Sequence, residues 1–109
     1  MGEQSFSDRV DAALARIEAG IEAIADDAEI DPVRAGNVLT LSFENGHRIV
    51  VNSQAAASEL WVAARSGGFH YRWDEARAIW VDTRAGPELF TALAQLVELE
   101  TGSPVSFDD

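Results

Sequence analysis

At 109 residues, with 47% apolar side chains and no cysteine, the chain is sized for a single domain, 1–109, and carries no disulfide, thiolate metal site or cysteine redox chemistry of its own. A formal charge of −11 repels phosphate backbones and anionic lipid surfaces, which argues against nucleic acid and membranes as partners and leaves cations and basic protein surfaces. No run approaches the ~20 apolar residues of a membrane span, and Glu3 and Asp8 stand where a signal peptide would be basic, so a soluble cytoplasmic protein is the default expectation.

Phe6, Val10, Leu14, Ile17, Ile21 and Ile24 recur at intervals of four and three, which predicts an amphipathic helix over 6–24. At about 100° per residue these positions share one sector, while Asp8, Asp11, Glu18, Glu22 and Asp26 gather in another. Arg9 and Arg16 lie on the opposite flank. Residues 1–31 hold nine Asp or Glu against only these two arginines, so the helix presents an unneutralised acidic stripe in place of alternating charges.

Beyond Asp26 the period changes to two, and short runs rich in β-branched and aromatic residues are punctuated by Gly, Asn and Pro. They predict strands at about 29–34, 38–44, 47–52, 59–64, 69–73 and 78–82. Pro32 makes the first an edge strand. Asn45-Gly46 marks a hairpin for which a two- or a three-residue loop is possible. The three-residue loop, with Gly46 in the left-handed bulge position, sets Ile49 opposite Leu41 and Val51 opposite Leu39, and so buries one face consistently. Glu44, Arg48, Val50 and Asn52 then share the outer face. In Glu59-Leu60-Trp61-Val62-Ala63 the same alternation turns Leu60 and Val62 inward and leaves Trp61 outside. Trp73 and Trp80 fall in or at the edge of the core.

Gly86-Pro87 opens a second helix that Gly102 ends, with Leu89, Leu93, Leu96 and Val97 facing inward. One helix at each end with only strands between them predicts an α+β fold, a two-layer α/β sandwich. Both helices cover one face of a mainly antiparallel sheet of about six strands, and the other face stays open.

Four segments become specific when taken together: Leu39-Thr40-Leu41-Ser42-Phe43-Glu44-Asn45-Gly46, Val51-Asn52-Ser53-Gln54, Leu60-Trp61-Val62-Ala63 and Ser66-Gly67-Gly68-Phe69-His70-Tyr71. They resemble the bacterial branch of the frataxin family, over nearly the whole chain from the acidic first helix to Val105-Ser106-Phe107. The resemblance implies the same helix–sheet–helix sandwich, an acidic ridge that binds iron, and a sheet surface for partners. It also implies a regulator of iron–sulfur cluster assembly that docks on the cysteine desulfurase and the scaffold protein.

Ferrous and ferric iron accept hard oxygen ligands, and Asp11, Glu18, Glu22, Asp26, Asp27, Glu29 and Asp31 are the candidate metal-binding carboxylates. A convex, solvated helix face implies weak, poorly selective surface binding. On charge pattern alone a merely solvated acidic face is the commoner reading, and the resemblance reverses it. Ala19, Ala23 and Ala25 occupy positions where relatives are commonly acidic, so the ridge is sparser than the family's. Asn52, Gln54 and Trp61 match family positions associated with partner binding, and Glu44 shares their face, which makes these four the partner-binding candidates. Without the resemblance, Trp61 is as readily half-covered by its strand neighbours as it is an anchor. Ala55-Ala56-Ala57 replaces a more polar stretch beside them. His47 and His70 are too far apart and too poorly supported for a metal or catalytic motif.

No nucleophile–base pattern, phosphate-cradling loop or HExxH spacing occurs. The expectation is a binding protein, not an enzyme, with no catalytic residue, acting as a monomer or as an iron-dependent oligomer. Two alternatives remain. One is a ferroxidase or iron-storage protein acting as oligomers; the other is an adaptor whose carboxylates simply meet arginines on the desulfurase.

Overall fold

The computed structural model describes residues 5–107. Helix α1, Phe6–Glu22, is capped by Ser5, whose Oγ accepts a hydrogen bond from the Asp8 amide at 3.1 Å. It buries Val10, Ala13, Leu14, Ile17 and Ile21. The helical run does not continue to 24. It closes at Ala23, and a separate single turn, α2, follows at Ala25–Ala28, ended by Glu29 in the left-handed conformation with φ 56°.

Six strands follow: β1 Ile30–Ala35, β2 Val38–Phe43, β3 Arg48–Gln54, β4 Glu59–Ala64, β5 Gly67–Asp74 and β6 Ile79–Asp82. They form one antiparallel sheet in which each strand pairs only with its sequence neighbours, so β1 and β6 are the edges. Pro32 thus sits on an edge strand, where its missing N–H costs least. The β2–β3 hairpin takes the three-residue loop. Leu41 pairs with Ile49 and Leu39 with Val51, the Phe43 amide donates to the His47 carbonyl at 2.9 Å, and Gly46 supplies a φ of +89°. Glu44 belongs to this turn and not to the strand.

Helix α3, Leu89–Thr101, starts two residues later than Pro87 suggests. Glu88 is its cap, its carboxylate accepting from the Thr91 amide at 2.8 Å, and Gly102 at φ 74° ends it. Leu89, Leu93 and Val97 are buried, with Leu96 at the core margin. Both helices cover the sheet face made by Leu39, Leu41, Ile49, Val51, Leu60, Val62 and Tyr71, all at most 2% exposed. Trp80 joins this core, and Trp73 packs edge-on against it at 5.5 Å. Phe107, 3% exposed, lies so tightly on α1 that a Cβ added at Gly20 would stand 2.4 Å from its ring. A glycine at 20 is therefore a requirement of packing, not of backbone conformation.

Candidate functional site

The acidic candidates do not lie on one face. Asp11 and Glu18 lie on α1, where Arg34 reaches both, with Nη2 2.8 Å from Asp11 Oδ1 and Nη1 3.3 Å from Glu18 Oε1. Arg34 can do this because β1 alternates: Ile30, Pro32 and Arg34 pair with Phe43, Leu41 and Leu39 and so emerge on the helix-covered side. By the same alternation Asp31, paired with Ser42, falls on the open side of the edge strand. Glu22, Asp26 and Asp27 are exposed at the end of α1 and on α2. The row therefore wraps around the corner where α1, α2 and β1 meet. Arg34 has no part in the sequence-derived site, although the inward phase of Ile30 and Pro32 signals that residue 34 faces the helix.

Glu29 and Glu44 meet across the end of the β1–β2 pair. Their shared hydrogen bond, and then the repulsion between them, push the Glu29 carboxyl above the ordinary carboxylate range. Glu44 thereby extends the acidic row. The oxygen-only donor set suits hard cations, ferric iron among them, and also accepts borderline ferrous iron. Among the described residues, however, no three His, Asp or Glu side chains converge on a common point, so the row offers charge and one or two ligands at a time, not a coordination cage.

The open face of the sheet is organised differently. Asn52, Trp61 and His70 are directly paired across β3, β4 and β5, and Gln54, Glu59 and Arg72 form the next row. The Trp61 and His70 rings stack, centroids 4.3 Å apart and planes within 8°. Trp61 Nε1 donates to Glu59 Oε1 at 2.8 Å, and Arg72 Nη2 donates to Glu59 Oε2 at 3.0 Å. Glu59 is 8% exposed, the only charged side chain among the described residues in the buried class. The indole hydrogen bond does most to hold its carboxyl below the ordinary range, with help from Arg72 and His70 against the opposing effect of burial. Trp61 is thus half-buried and locked. Beside it Asn52 Oδ1 is buried without a hydrogen-bond partner among the described residues, at a hollow of about 130 Å³ shared with Trp61 and His70. Val33, 54% exposed, and Val38, 38% exposed, extend this face towards the β1 edge.

His70, set aside on sequence, is the cover of Trp61. His47 has a structural task too: its Nδ1 is 2.8 Å from Glu100 Oε1, which also accepts from Asn45 Nδ2 at 2.9 Å, so the β2–β3 turn is clipped to the end of α3. These bonds, Asn45 first and His47 second, lower the Glu100 carboxyl below its ordinary range.

One helix-covered and one open sheet face, flanked by an acidic corner, make a small two-layer α/β sandwich whose sequence-predicted site residues lie on surface patches. The family model described as a frataxin-like domain matches residues 1–103. Two curated relatives carry the name iron–sulfur cluster assembly protein CyaY: that of Cupriavidus taiwanensis is 50% identical over 98% of this chain and 96% of its own length, and that of Bordetella bronchiseptica is 52% identical over 97% of each. Among solved structures, frataxin from Psychromonas ingrahamii superposes with a TM-score of 0.86 at 30% identity over 95% of both chains. Trimeric Saccharomyces cerevisiae frataxin, complexed with ferrous iron, shares the fold, with a TM-score of 0.77 at 22% identity over 94% of this chain and 92% of its own. The chain belongs to the frataxin family.

Proposed function

We propose that this chain is an iron–sulfur cluster assembly protein that acts by binding and not by catalysis. In this reading the open sheet face around Trp61 docks on the cysteine desulfurase and its scaffold partner. The acidic corner of Asp11, Glu18, Glu22, Asp26, Asp27, Glu29 and Asp31 holds iron weakly, as a cation in transit. The observation that carries the reading is the Glu59–Trp61–His70 assembly, with the unpartnered Asn52 acceptor beside it. A rigid aromatic with adjacent unsatisfied polarity is the chemistry of an interface anchor. The names of the relatives supply the pathway, and the shared family makes the transfer reasonable.

The test is Trp61→Ala. Desulfurase affinity measured by calorimetry falls by about 1–3 kcal/mol, the scale of a moderate hot spot, while cluster assembly in the presence of the variant moves towards the rate without the protein. Unchanged affinity rejects the docking face. For the acidic corner, a lanthanide titration broadens amide signals around residues 18–31 first, and uniform broadening over the surface rejects that assignment. Iron-dependent oxygen consumption above the buffer rate, lost on removal of the corner carboxylates, favours the oligomeric ferroxidase or storage alternative instead.

A further inference from the structure

On the flank of α1 away from the acidic row, a groove of about 410 Å³ is bounded by α1, the β5–β6 end and the start of α3. We propose that this groove is a binding site for a small organic carboxylate with an aromatic or similarly flat apolar body. The size lies within the range of small-ligand pockets, which combine mainly apolar walls with a few polar groups. The walls here are Trp73, Trp80 and Phe90, and the floor along α1 is Ala12 and Ala13, whose short side chains leave the space open.

The polar groups favour an anion. Arg9 and Arg16 are the only basic residues of α1, and both line this groove in a chain of net charge −11. They are two helical turns apart, roughly 10 Å along the axis. Each guanidinium lies over one aromatic wall, Arg9 5.0 Å from the Trp73 ring and Arg16 4.0 Å from Phe90. Arg16 is tied to the Phe107 carbonyl. Arg9 is held through the rim: its Nη2 pairs at 2.9 Å with Glu75, a carboxylate 61% exposed that also accepts from Trp73 Nε1 at 3.1 Å, and its Nε is buried with no hydrogen-bond partner among the described residues.

Glu75 is the solvent-exposed member of this pair, so an incoming carboxylate exchanges for Glu75 at the Arg9 Nη2 edge, while the apolar body lies along Trp73 and Phe90. Glu88 at the far rim caps α3 through Thr91, and its negative charge orients the ligand with the carboxylate at the Arg9 end.

Titrating the labelled full chain with 1-naphthylacetate tests this by NMR. The indole N–H signals of Trp73 and Trp80 shift saturably and that of Trp61 does not. The neutral 1-naphthylacetamide binds at least ~10-fold more weakly, and Arg9→Gln weakens the acid by a similar ~10-fold, as loss of a charge-assisted pair requires. Ala12→Leu, at an exposed helix position that a larger side chain can occupy, fills the groove and abolishes the shifts while circular dichroism stays unchanged. If Arg9→Gln disturbs folding, Ala12→Leu and the amide decide alone. Equal affinity for acid and amide, binding that survives Ala12→Leu, shifts centred on Trp61, or no saturable shift at all would each overturn the proposal.

Discussion

The acidic corner and the open sheet face are both polar and both reach solvent, yet one is loose where the other is fixed. In the corner, seven carboxylates share one arginine: Arg34 meets Asp11, 57% exposed, and Glu18, 30% exposed, while Glu22, Asp26 and Asp27 stand exposed on the turns beyond. On the sheet, one carboxylate serves three partners. Glu59 orients Trp61 and Arg72 and lies 3.7 Å from His70 Nδ1. The first arrangement stores charge with little geometry, which suits mobile cations or a basic surface met over a range of poses. The second fixes one aromatic ring in one orientation, which lowers the ordering cost of a specific contact.

The contrast breaks most sharply at Glu59. Glu59→Ala leaves the Trp61 indole and Arg72 without their shared acceptor in a nearly covered position, and costs about 1–3 kcal/mol of folding stability, measured by urea denaturation. Glu59→Gln, which keeps an acceptor, costs less. Because the folded Glu59 carboxyl lies below its ordinary value of 4.5, its contribution is present above that value and is lost as pH falls through the lowered one. The Trp61 indole hydrogen bond to Glu59 is therefore kept down to the ordinary carboxylate range and lost only below it, and a His70→Gln background, which removes the stacked imidazole, isolates that transition; loss of the bond above the carboxylate range in that background would contradict the hub.

A smaller effect separates stability from function in the corner. Arg34→Ala removes two partly exposed ion pairs, for which about 0–1 kcal/mol is the expected loss. It also frees Asp11 and Glu18, so lanthanide affinity at the corner rises; no rise would mean that those two carboxylates take no part in cation binding. Both the pairs and the cation binding weaken at high salt, whereas the stacked sheet face is insensitive to it.

The smallest effect has the opposite pH sign. Glu29 carries a raised pKa because it shares a proton with Glu44, so its favourable contribution exists below the ordinary carboxylate value and is lost as pH rises through the raised one. Glu29→Gln keeps a donor at all pH values and raises the melting temperature slightly at neutral pH. A lowered melting temperature there would show that the Glu29–Glu44 hydrogen bond is unimportant.

What could be read from the sequence follows the same division. The strand register was legible because alternation fixes which face is buried and Gly46 fixes the loop length, so Trp61 could be assigned to the outer face from parity alone. Its partners could not. His70 and Arg72 lie opposite Trp61 and Glu59 only through the β4–β5 register, which depends on the turn at Arg65-Ser66. The break in the first helix was also hidden, since Ala23-Ile24-Ala25 carries neither Gly nor Pro and continues the apolar spacing. Arg34 and the Glu29–Glu44 pair depend on which residues meet across β1 and its neighbours, a matter of tertiary contact that charge pattern does not encode.

The strictly sequential strand order has a kinetic meaning. Every hairpin can close over a short loop, so the sheet assembles through local contacts that cost little chain entropy. Docking α1 against the Phe107 that packs on Gly20 instead closes a loop that spans nearly the whole described chain, and costs more chain entropy than any hairpin. The surface that carries Trp61 is built from such local pairings, while the Phe107 contact on Gly20 joins the two ends of the described chain.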